Sequence, residues 1–425
     1  MSSTTPVERW LCVEQLYDGT GTDPVRDRAV GIRGTEIVAV TSIEDLPSDA
    51  EVEHLPGATL VPGLVDAHVH LLFSCDVDHE RTRHRFETSD DAALTAIGVR
   101  NAAESLLGGV TTVRDCGDTR GIVGRIRDSV ATGWTLGPTI LTAGAPLTTP
   151  QGHLHWCGNG LAGPDQIAAS IERLADNGAD LVKIMTSGGT MTRESDPLSA
   201  QFGDAEVELA VRTAHARGLP VAAHAQNVAS IRGAVHAGVD TIEHCLWRDG
   251  EGQPAEPQDL VRLLVGSSST VVLTLAGIQR ALVDGAVGFS DQERADAVAA
   301  SPTGDLVRDF AWARQLREAG IAVVVGSDAG VRFTGFRDFA DSVHCATVAL
   351  DCSLGEAIAM TTSLAAEAIG QGDRVGRIAP GMQADLVVLD GTSEQRLGAV
   401  RQVIRSGRTV VRDGALVMPR PTALH

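Results

Sequence analysis

The sequence predicts an α/β fold, a (β/α)8 TIM barrel with a small β-sandwich domain built from both termini. Between residues 59 and 375, eight short runs rich in Val, Ile and Thr alternate with longer amphipathic segments. This alternation is typical of repeated βα units and a parallel sheet. Eight units over this length match the count of a closed barrel, and an open doubly wound sheet is the alternative.

The predicted strands are short, and several of the segments between them carry helix capping signals. Four helical patterns cover residues 91–107, 164–178, 204–218 and 228–238, and several begin at Asp or Pro and end at Gly. The eight predicted strands cover residues 60–68, 109–115, 138–144, 179–186, 219–225, 238–244, 269–275 and 321–328.

The two ends of the chain have a different pattern. Residues 10–40 and 384–417 alternate like β hairpins, with turns expected at Arg33-Gly34, Ser406-Gly407 and Asp413-Gly414. Neither end has enough strands to form a stable sheet alone. We therefore expect residues 1–58 and 376–425 to form one composite β-sandwich domain beside a barrel domain of residues 59–375.

Composition excludes several classes of protein. The chain has 425 residues, 43% of them hydrophobic, with mean hydropathy +0.04 and a net charge of −20. Such a charge repels phosphate backbones and anionic lipid, so we expect a small-molecule substrate, no nucleic acid and no membrane partner. Seven cysteines without C-x-x-C spacing, and a start without a secretory pattern, predict a reducing, cytoplasmic location. The sequence is compatible with a homo-oligomer.

Residues of metal-ligand type lie on five of the predicted strands or at their ends. In a barrel these ends form one open mouth, and residues two apart on a strand point to the same side. A lone H-x-H is weak among 13 histidines, and His153 and His155 form a second one. The five strands together predict a metal site, whose candidate ligands are His68, His70, Lys183, His224, His244 and Asp328.

Lys183 is the one lysine among 35 basic residues. An ammonium is repelled by metal ions, so a lysine inside such a cluster must be neutral or chemically altered. A neutral amine reacts with carbon dioxide to give a carbamate that can bridge two ions, and arginine cannot do this. The alternative is an ordinary salt bridge to Asp204 or Glu194.

Several segments in order give a family resemblance: LVDAHVH, GVTTVRD, GADLVKIMTSGG, VAAHA, GVDTIEH, VVVGSDAG and GRIAPGMQADLVVLDG. The chain resembles the amidohydrolase superfamily, in its binuclear branch with a carboxylated lysine, and most of all the prolidase-like and imidazolonepropionase-like groups. The resemblance implies one ion on His68, His70 and Asp328, a second on His224 and His244, and a Lys183 carbamate bridging both. Zinc is the expected metal, with manganese, cobalt or iron as alternatives.

The resemblance also implies an activity. We expect hydrolysis of the amide bond of a small substrate, such as a dipeptide or N-acyl amino acid, by a metal-bridging hydroxide, with Asp328 and Lys183 as catalytic residues. Lactone, ester or organophosphate hydrolysis stays open. A deaminase or cyclic imidate hydrolase is disfavoured by Lys183, and a scaffold without metals by the complete ligand set.

Substrate contacts are expected from three residues. His153 lies in a loop after the third strand, and Arg193 could bind a carboxylate. Gln226 stands where the dipeptidases often have tyrosine. His79 is expected to be solvated, like the other histidines of loops and helices.

Overall fold

The computed structural model describes residues 7–76, 78–252, 258–277 and 310–418. Among these residues, no helix is long and apolar enough to cross a bilayer. The strands, numbered in chain order, are β1 (Arg9–Leu16), β2 (Val25–Arg33), β3 (Glu36–Ser42), β4 (Val52–Pro62), β5 (Leu64–Val69), β6 (Val110–Asp115), β7 (Thr139–Thr142), β8 (Val182–Met185), β9 (Val221–Ala225), β10 (Thr241–His244), β11 (Thr270–Thr274), β12 (Val323–Gly326), β13 (Leu386–Leu389), β14 (Val400–Arg405), β15 (Arg408–Arg412) and β16 (Ala415–Leu416).

The helices follow the capping rules that their sequences suggest. Helix α2 (Asp91–Leu107) starts after Asp90, whose carboxylate accepts a hydrogen bond from the Ala93 amide at 2.8 Å. Helix α6 (Val228–Ala237) starts after Asn227 and is followed by Gly238, which is left-handed with φ 80°. The described helices are α1 (His79–Thr88), α2 (Asp91–Leu107), α3 (Ile122–Ala131), α4 (Pro164–Asp176), α5 (Asp204–Ala216), α6 (Val228–Ala237), α7 (Gln258–Val265), α8 (Ala311–Glu318), α9 (Phe339–Leu350), α10 (Leu354–Met360) and α11 (Ser363–Ala368).

Strands β5 to β12 are parallel and alternate with helices. They form a three-stranded sheet, β5-β6-β7, and a five-stranded sheet, β8 to β12 in sequence order. Isolated parallel bridges join the edges of the two sheets, Val69 to Ala329 and Leu147 to Ile184. Beside the first bridge, the Asp328 amide donates to the His68 carbonyl at 2.9 Å. The first and last parallel strands therefore meet at their carboxyl ends.

Each of the eight predicted runs overlaps one of these parallel strands. The first prediction, residues 60–68, needs a correction because it joins the end of β4 to most of β5. The break is at Gly63, where a Cβ would lie 2.1 Å from Thr111 Oγ1. Close packing there leaves no room for a side chain where the chain passes from one sheet to the next.

Strands from both ends of the chain form one mixed sheet in the order β16-β15-β14-β13-β4-β1-β2-β3. All neighbouring strands in it are antiparallel except β1 and β4, which are parallel. The turns expected at Arg33-Gly34, Ser406-Gly407 and Asp413-Gly414 connect its hairpins. We expected a sandwich, and the eight strands are hydrogen-bonded as a single sheet. It encloses an apolar core of its own, which includes Leu11, Val30, Leu60, Leu386 and Ile404.

The boundary expected between residues 58 and 59 falls inside β4. This long strand pairs with β1 through Val52 to Leu60 and with β13 through Thr59 to Pro62. It is thus the strand that links the amino-terminal and carboxyl-terminal halves of the sheet. Residues 1–6 and 419–425 of the expected composite domain lie outside the described residues.

Candidate active site

One cavity brings together all six candidate ligands. They are on or directly after β5, β8, β9, β10 and β12, so the parallel strands deliver them to the same region. The cavity is lined by His68, His70, Lys183, His224, His244 and Asp328, together with His153 and Gln226.

The first group contains His68, His70 and Asp328. The Nε2 atoms of His68 and His70 lie 3.5 and 3.4 Å from Asp328 Oδ1. Ligand-type atoms of the three residues all lie within 4.8 Å of one another. Two imidazoles and a carboxylate at this spacing are a suitable donor set for a divalent ion such as zinc.

The second group contains His224 and His244, whose ring centroids are 4.7 Å apart. The His224 Nε2–H donates to the Gly188 carbonyl at 3.0 Å, which leaves the lone pair of Nδ1 available to a cation. His244 Nδ1 lies 2.7 Å from Thr274 Oγ1, which leaves Nε2. The His244 ring is also 5.0 Å from that of His68, so the two groups adjoin.

Lys183 is fully buried between these groups, with 0% of its surface exposed. Its Nζ has no hydrogen-bond partner among the described residues. The salt bridge considered as the alternative is not formed, because Glu194 pairs with Arg83 at 2.9 Å and Asp204 is exposed at the start of α5. A buried amine without a hydrogen-bond partner is costly, so this side chain calls for a partner that the described residues do not supply.

Burial sets the protonation of the histidines. It lowers the pKa of His68 to about 3 and that of His244 to about 4. Burial also holds the pKa of His224 well below its usual range. Burial alone would raise the pKa of Asp328, but the imidazoles of His70 and His68 lower it well below its ordinary value. The site therefore presents neutral imidazoles at His68, His224 and His244 and an ionised carboxylate at Asp328, the protonation state that binds cations.

Four buried polar atoms of this cavity lack a hydrogen-bond partner among the described residues: His70 Nδ1, His153 Nδ1, Lys183 Nζ and Asp328 Oδ1. Buried polar atoms in folded proteins are nearly always paired. Their concentration here, with the donor types described above, fits a site that holds divalent ions.

The three residues expected to contact substrate differ in their burial and in their position relative to the cavity. His153 is buried, with its ring 4.6 Å from that of His224. Gln226 is half-buried, and its backbone N–H donates to Ser187 Oγ at 3.0 Å. Arg193 is exposed and is not among the residues that line the cavity.

His79, which was expected to be solvated, is partly exposed. It lines the outer part of the cleft together with Gln226, Phe310 and Phe333. Its Nδ1 donates to the Thr190 carbonyl at 3.0 Å, and burial lowers its pKa to about 4. The contact joins positions far apart in the chain, so no local pattern could have indicated it.

Comparison with known proteins agrees with this geometry. The model of the amidohydrolase family matches residues 59–414. The chain belongs to the amidohydrolase family.

Two relatives and one solved structure show what kinds of protein this chain is similar to. Ochratoxinase of Aspergillus niger is 27% identical over 266 residues, 56% of this chain and 54% of that protein, so the chain spans about half the length of this relative. Imidazolonepropionase of Chloroflexus aggregans is 25% identical over 436 residues, 91% of each chain. A prolidase complexed with N-methylphosphonate-L-proline superposes with a TM-score of 0.79 at 25% identity, covering 95% of this chain and 100% of that one.

Proposed function

We propose that this amidohydrolase cleaves the C–N bond of a small amide, a dipeptide or N-acyl amino acid, at a binuclear metal centre. His68, His70 and Asp328 would hold one divalent ion, and His224 and His244 the other. A carboxylated Lys183 would bridge them, and zinc is the expected metal. We also infer that the eight parallel strands close into a single barrel around this centre.

The observation that carries the proposal is the buried, unpartnered Nζ of Lys183. As a carbamate, formed when the neutral amine bonds to carbon dioxide and loses a proton, the side chain has one negative charge and two oxygens. This state removes the cost of a buried ammonium beside cations. It also supplies a second anion to a ligand set that otherwise has the single carboxylate of Asp328.

Divalent ions bound here would lower the pKa of water and polarise the substrate carbonyl. The residues of the chain move the proton. Asp328 is ionised, and its Oδ1 has no hydrogen-bond partner among the described residues, so it can accept the proton of the attacking water. Returned to the departing nitrogen, that proton balances the reaction, in which an amide and water give a carboxylic acid and an amine.

Substrate binding would use the remaining lining residues. His153 and Gln226 lie beside the ligand groups, and His79 and two phenylalanines lie further out. The similarity to imidazolonepropionase and to a prolidase that holds a proline phosphonate supports a small substrate with an amide-type bond. The lining of the outer part combines apolar side chains such as Phe310 and Phe333 with polar ones such as Thr190 and Gln226, which suits a small substrate that is partly polar.

Metal analysis tests the centre. We expect about two ions per chain in the purified protein, and we expect Lys183→Arg to lose metal and activity together, because a guanidinium cannot become a carbamate. Arg193→Lys, exposed and outside the cavity, is the matched control and should keep both ions. A Lys183→Arg protein that retains two ions and full activity would overturn the proposal.

A hydrolysis screen tests the substrate class. Dipeptides, N-acyl amino acids and lactones are offered to the metal-loaded protein, with ammonia release followed separately. Cleavage of an amide supports the proposal. Turnover of lactones alone, or release of ammonia alone, would replace it with one of the alternative activities.

A further inference from the structure

Glu243 is a buried carboxylate on β10 that directly precedes His244 in sequence and contacts His68. We propose that Glu243, held by Arg114, is a positioning residue that fixes the His68 proton on Nδ1 and so keeps Nε2 as a ligand atom. This inference rests on the proposed metal centre. It concerns the orientation of a ligand and adds no group to the reacting atoms.

Both oxygens of Glu243 are occupied, and none of its surface is exposed. Oε2 lies 2.6 Å from His68 Nδ1. Oε1 accepts hydrogen bonds from an Arg114 terminal nitrogen at 2.8 Å and from Thr241 Oγ1 at 2.6 Å. The carboxylate therefore has three close donors and makes no contact with solvent.

Arg114 on β6 is itself fixed by three strands. Its Nε donates to the Ala67 carbonyl on β5 at 2.7 Å, and its other terminal nitrogen donates to Thr241 Oγ1 at 3.0 Å. The guanidinium is 3% exposed and neutralises the Glu243 charge. The pair thus forms a rigid cross-link beneath the cavity between β5, β6 and β10.

The position of the His68 proton follows from this inventory. A carboxylate paired with a guanidinium is ionised and can only accept hydrogen bonds, so the proton between Glu243 and His68 belongs to Nδ1. A neutral imidazole has a single N–H, so Nε2 has the lone pair, and this nitrogen faces Asp328 Oδ1 at 3.5 Å. Carboxylates that orient metal-binding histidines in this way are a general feature of metalloprotein sites.

Cys116 lies close to this network, and its atoms together with those of His68 and Glu243 fall within 4.8 Å. That group could be mistaken for a further ion site. His68 Nδ1 and the Glu243 carboxylate already share a hydrogen bond, and the thiol points to the Arg114 carbonyl at 3.9 Å. Because these atoms already have hydrogen-bond partners, we assign them to the positioning of His68.

Glu243→Gln is the sharpest variant. The Arg114 donors require an acceptor, so the amide oxygen must face Arg114 and the NH₂ must face His68. His68 then has to accept at Nδ1 and carry its proton on Nε2, which removes the ligand lone pair. Loss of such a partner typically weakens metal binding by about 10–100-fold.

Two readouts follow from this design. Zinc affinity of the metal-free protein, measured by competition with a chromophoric chelator, should fall about 10–100-fold in Glu243→Gln. The ¹⁵N shifts of His68 in metal-free, histidine-labelled protein, assigned with His68→Ala, should change from the Nδ1–H to the Nε2–H signature.

Asp118→Asn is the matched control, because Asp118 is a buried carboxylate that accepts the Val123 amide at 3.0 Å away from the cavity. It should leave both readouts unchanged. An Nε2–H signature for His68 in the metal-free wild-type protein would overturn the proposal whether or not the variant folds, and so would Glu243→Gln with unchanged affinity. If the wild-type protein binds no ions, the proposed function fails, and the tautomer measurement still decides the positioning role.

Discussion

Residues with a left-handed backbone conformation occur in two regions: at the carboxyl ends of the parallel strands, which we call the rim, and in the sheet built from the termini. The physical reasons differ between the two regions. His244 and Asp328 have φ of 63° and 61° where β10 and β12 end. Ser406 and Asp413 have φ of 48° and 49° in hairpin turns, and each precedes a glycine. The backbone geometry is similar, while the neighbours that hold it differ.

The hairpin residues follow local turn chemistry. A short polar residue followed by Gly is the preferred pair for a two-residue turn with positive φ. At the rim the conformation is imposed from a distance. Ser327, next to Asp328, donates from its amide to the Asp66 carboxylate at 2.9 Å, and the Asp328 amide donates to the His68 carbonyl at 2.9 Å. Such strain persists where surrounding structure enforces it, and it is concentrated at functional sites.

The largest expected effect comes from a substitution at the rim, and it is a loss of activity. Asp328→Asn should lower kcat by about 10²–10⁴-fold, because an amide cannot take and return a proton. The thermal midpoint of the metal-free protein should be unchanged or lower, since the lowered pKa of Asp328 means that its ionised form stabilises the fold. Asp351→Asn is the control, because Asp351 is also left-handed, with φ 49°, and lies at the end of α9. Equal activity in the two variants would contradict the proposed role of Asp328.

A substitution in the core of the composite sheet should change the stability of the protein and leave its activity unchanged. Leu11 is fully buried in the core that this sheet encloses. Leu11→Ala should lower the free energy of unfolding by about 2–5 kcal/mol in urea denaturation, through lost apolar contacts and the cavity left behind. Metal content and kcat of the folded protein should stay unchanged. Loss of metal in this variant under native conditions would show that the two regions are more tightly coupled than their separate cores indicate.

The smallest effect belongs to the hairpin turn. Asp413→Ala should cost about 1 kcal/mol of unfolding free energy, because alanine tolerates the left-handed conformation poorly, whereas Asp413→Asn should be close to neutral. Urea denaturation of the two variants, with metal analysis of each, checks this. If Asn is as costly as Ala, turn chemistry is not what sets φ at this position.

Much of the architecture could be predicted because its signals are local. Helix α2 covers the same residues as its pattern, Asp91 to Leu107, since the Asp cap and the Gly stop lie at its ends. The eight strand runs and three hairpin turns were predicted for the same reason. The break at Gly63 was missed although the Pro62-Gly63 dipeptide is a local turn signal, and only the folded structure shows how closely Thr111 packs against this glycine.

The candidate ligands could be named because ligand-type residues lie on or just after five parallel strands, and such strands bring these positions together. Their partners could not be named. Glu243 and Thr274 are ordinary residues of their strands, and only folding places them against His68 and His244. Arg193 and His79 were assigned from local sequence, and the structure leaves the first outside the cavity and brings the second to its mouth.

By itself, the sequence determined the rhythm of strands and helices, the turns, and the one lysine among the basic residues, because period, capping and side-chain chemistry act over a few neighbouring residues. Tertiary structure decided which nitrogen of His68 and of His224 is hydrogen-bonded, that Lys183 Nζ has no hydrogen-bond partner among the described residues, and that His79 of α1 reaches the cleft. Those properties depend on atoms that are distant in the chain and become neighbours only when the sheets and helices pack.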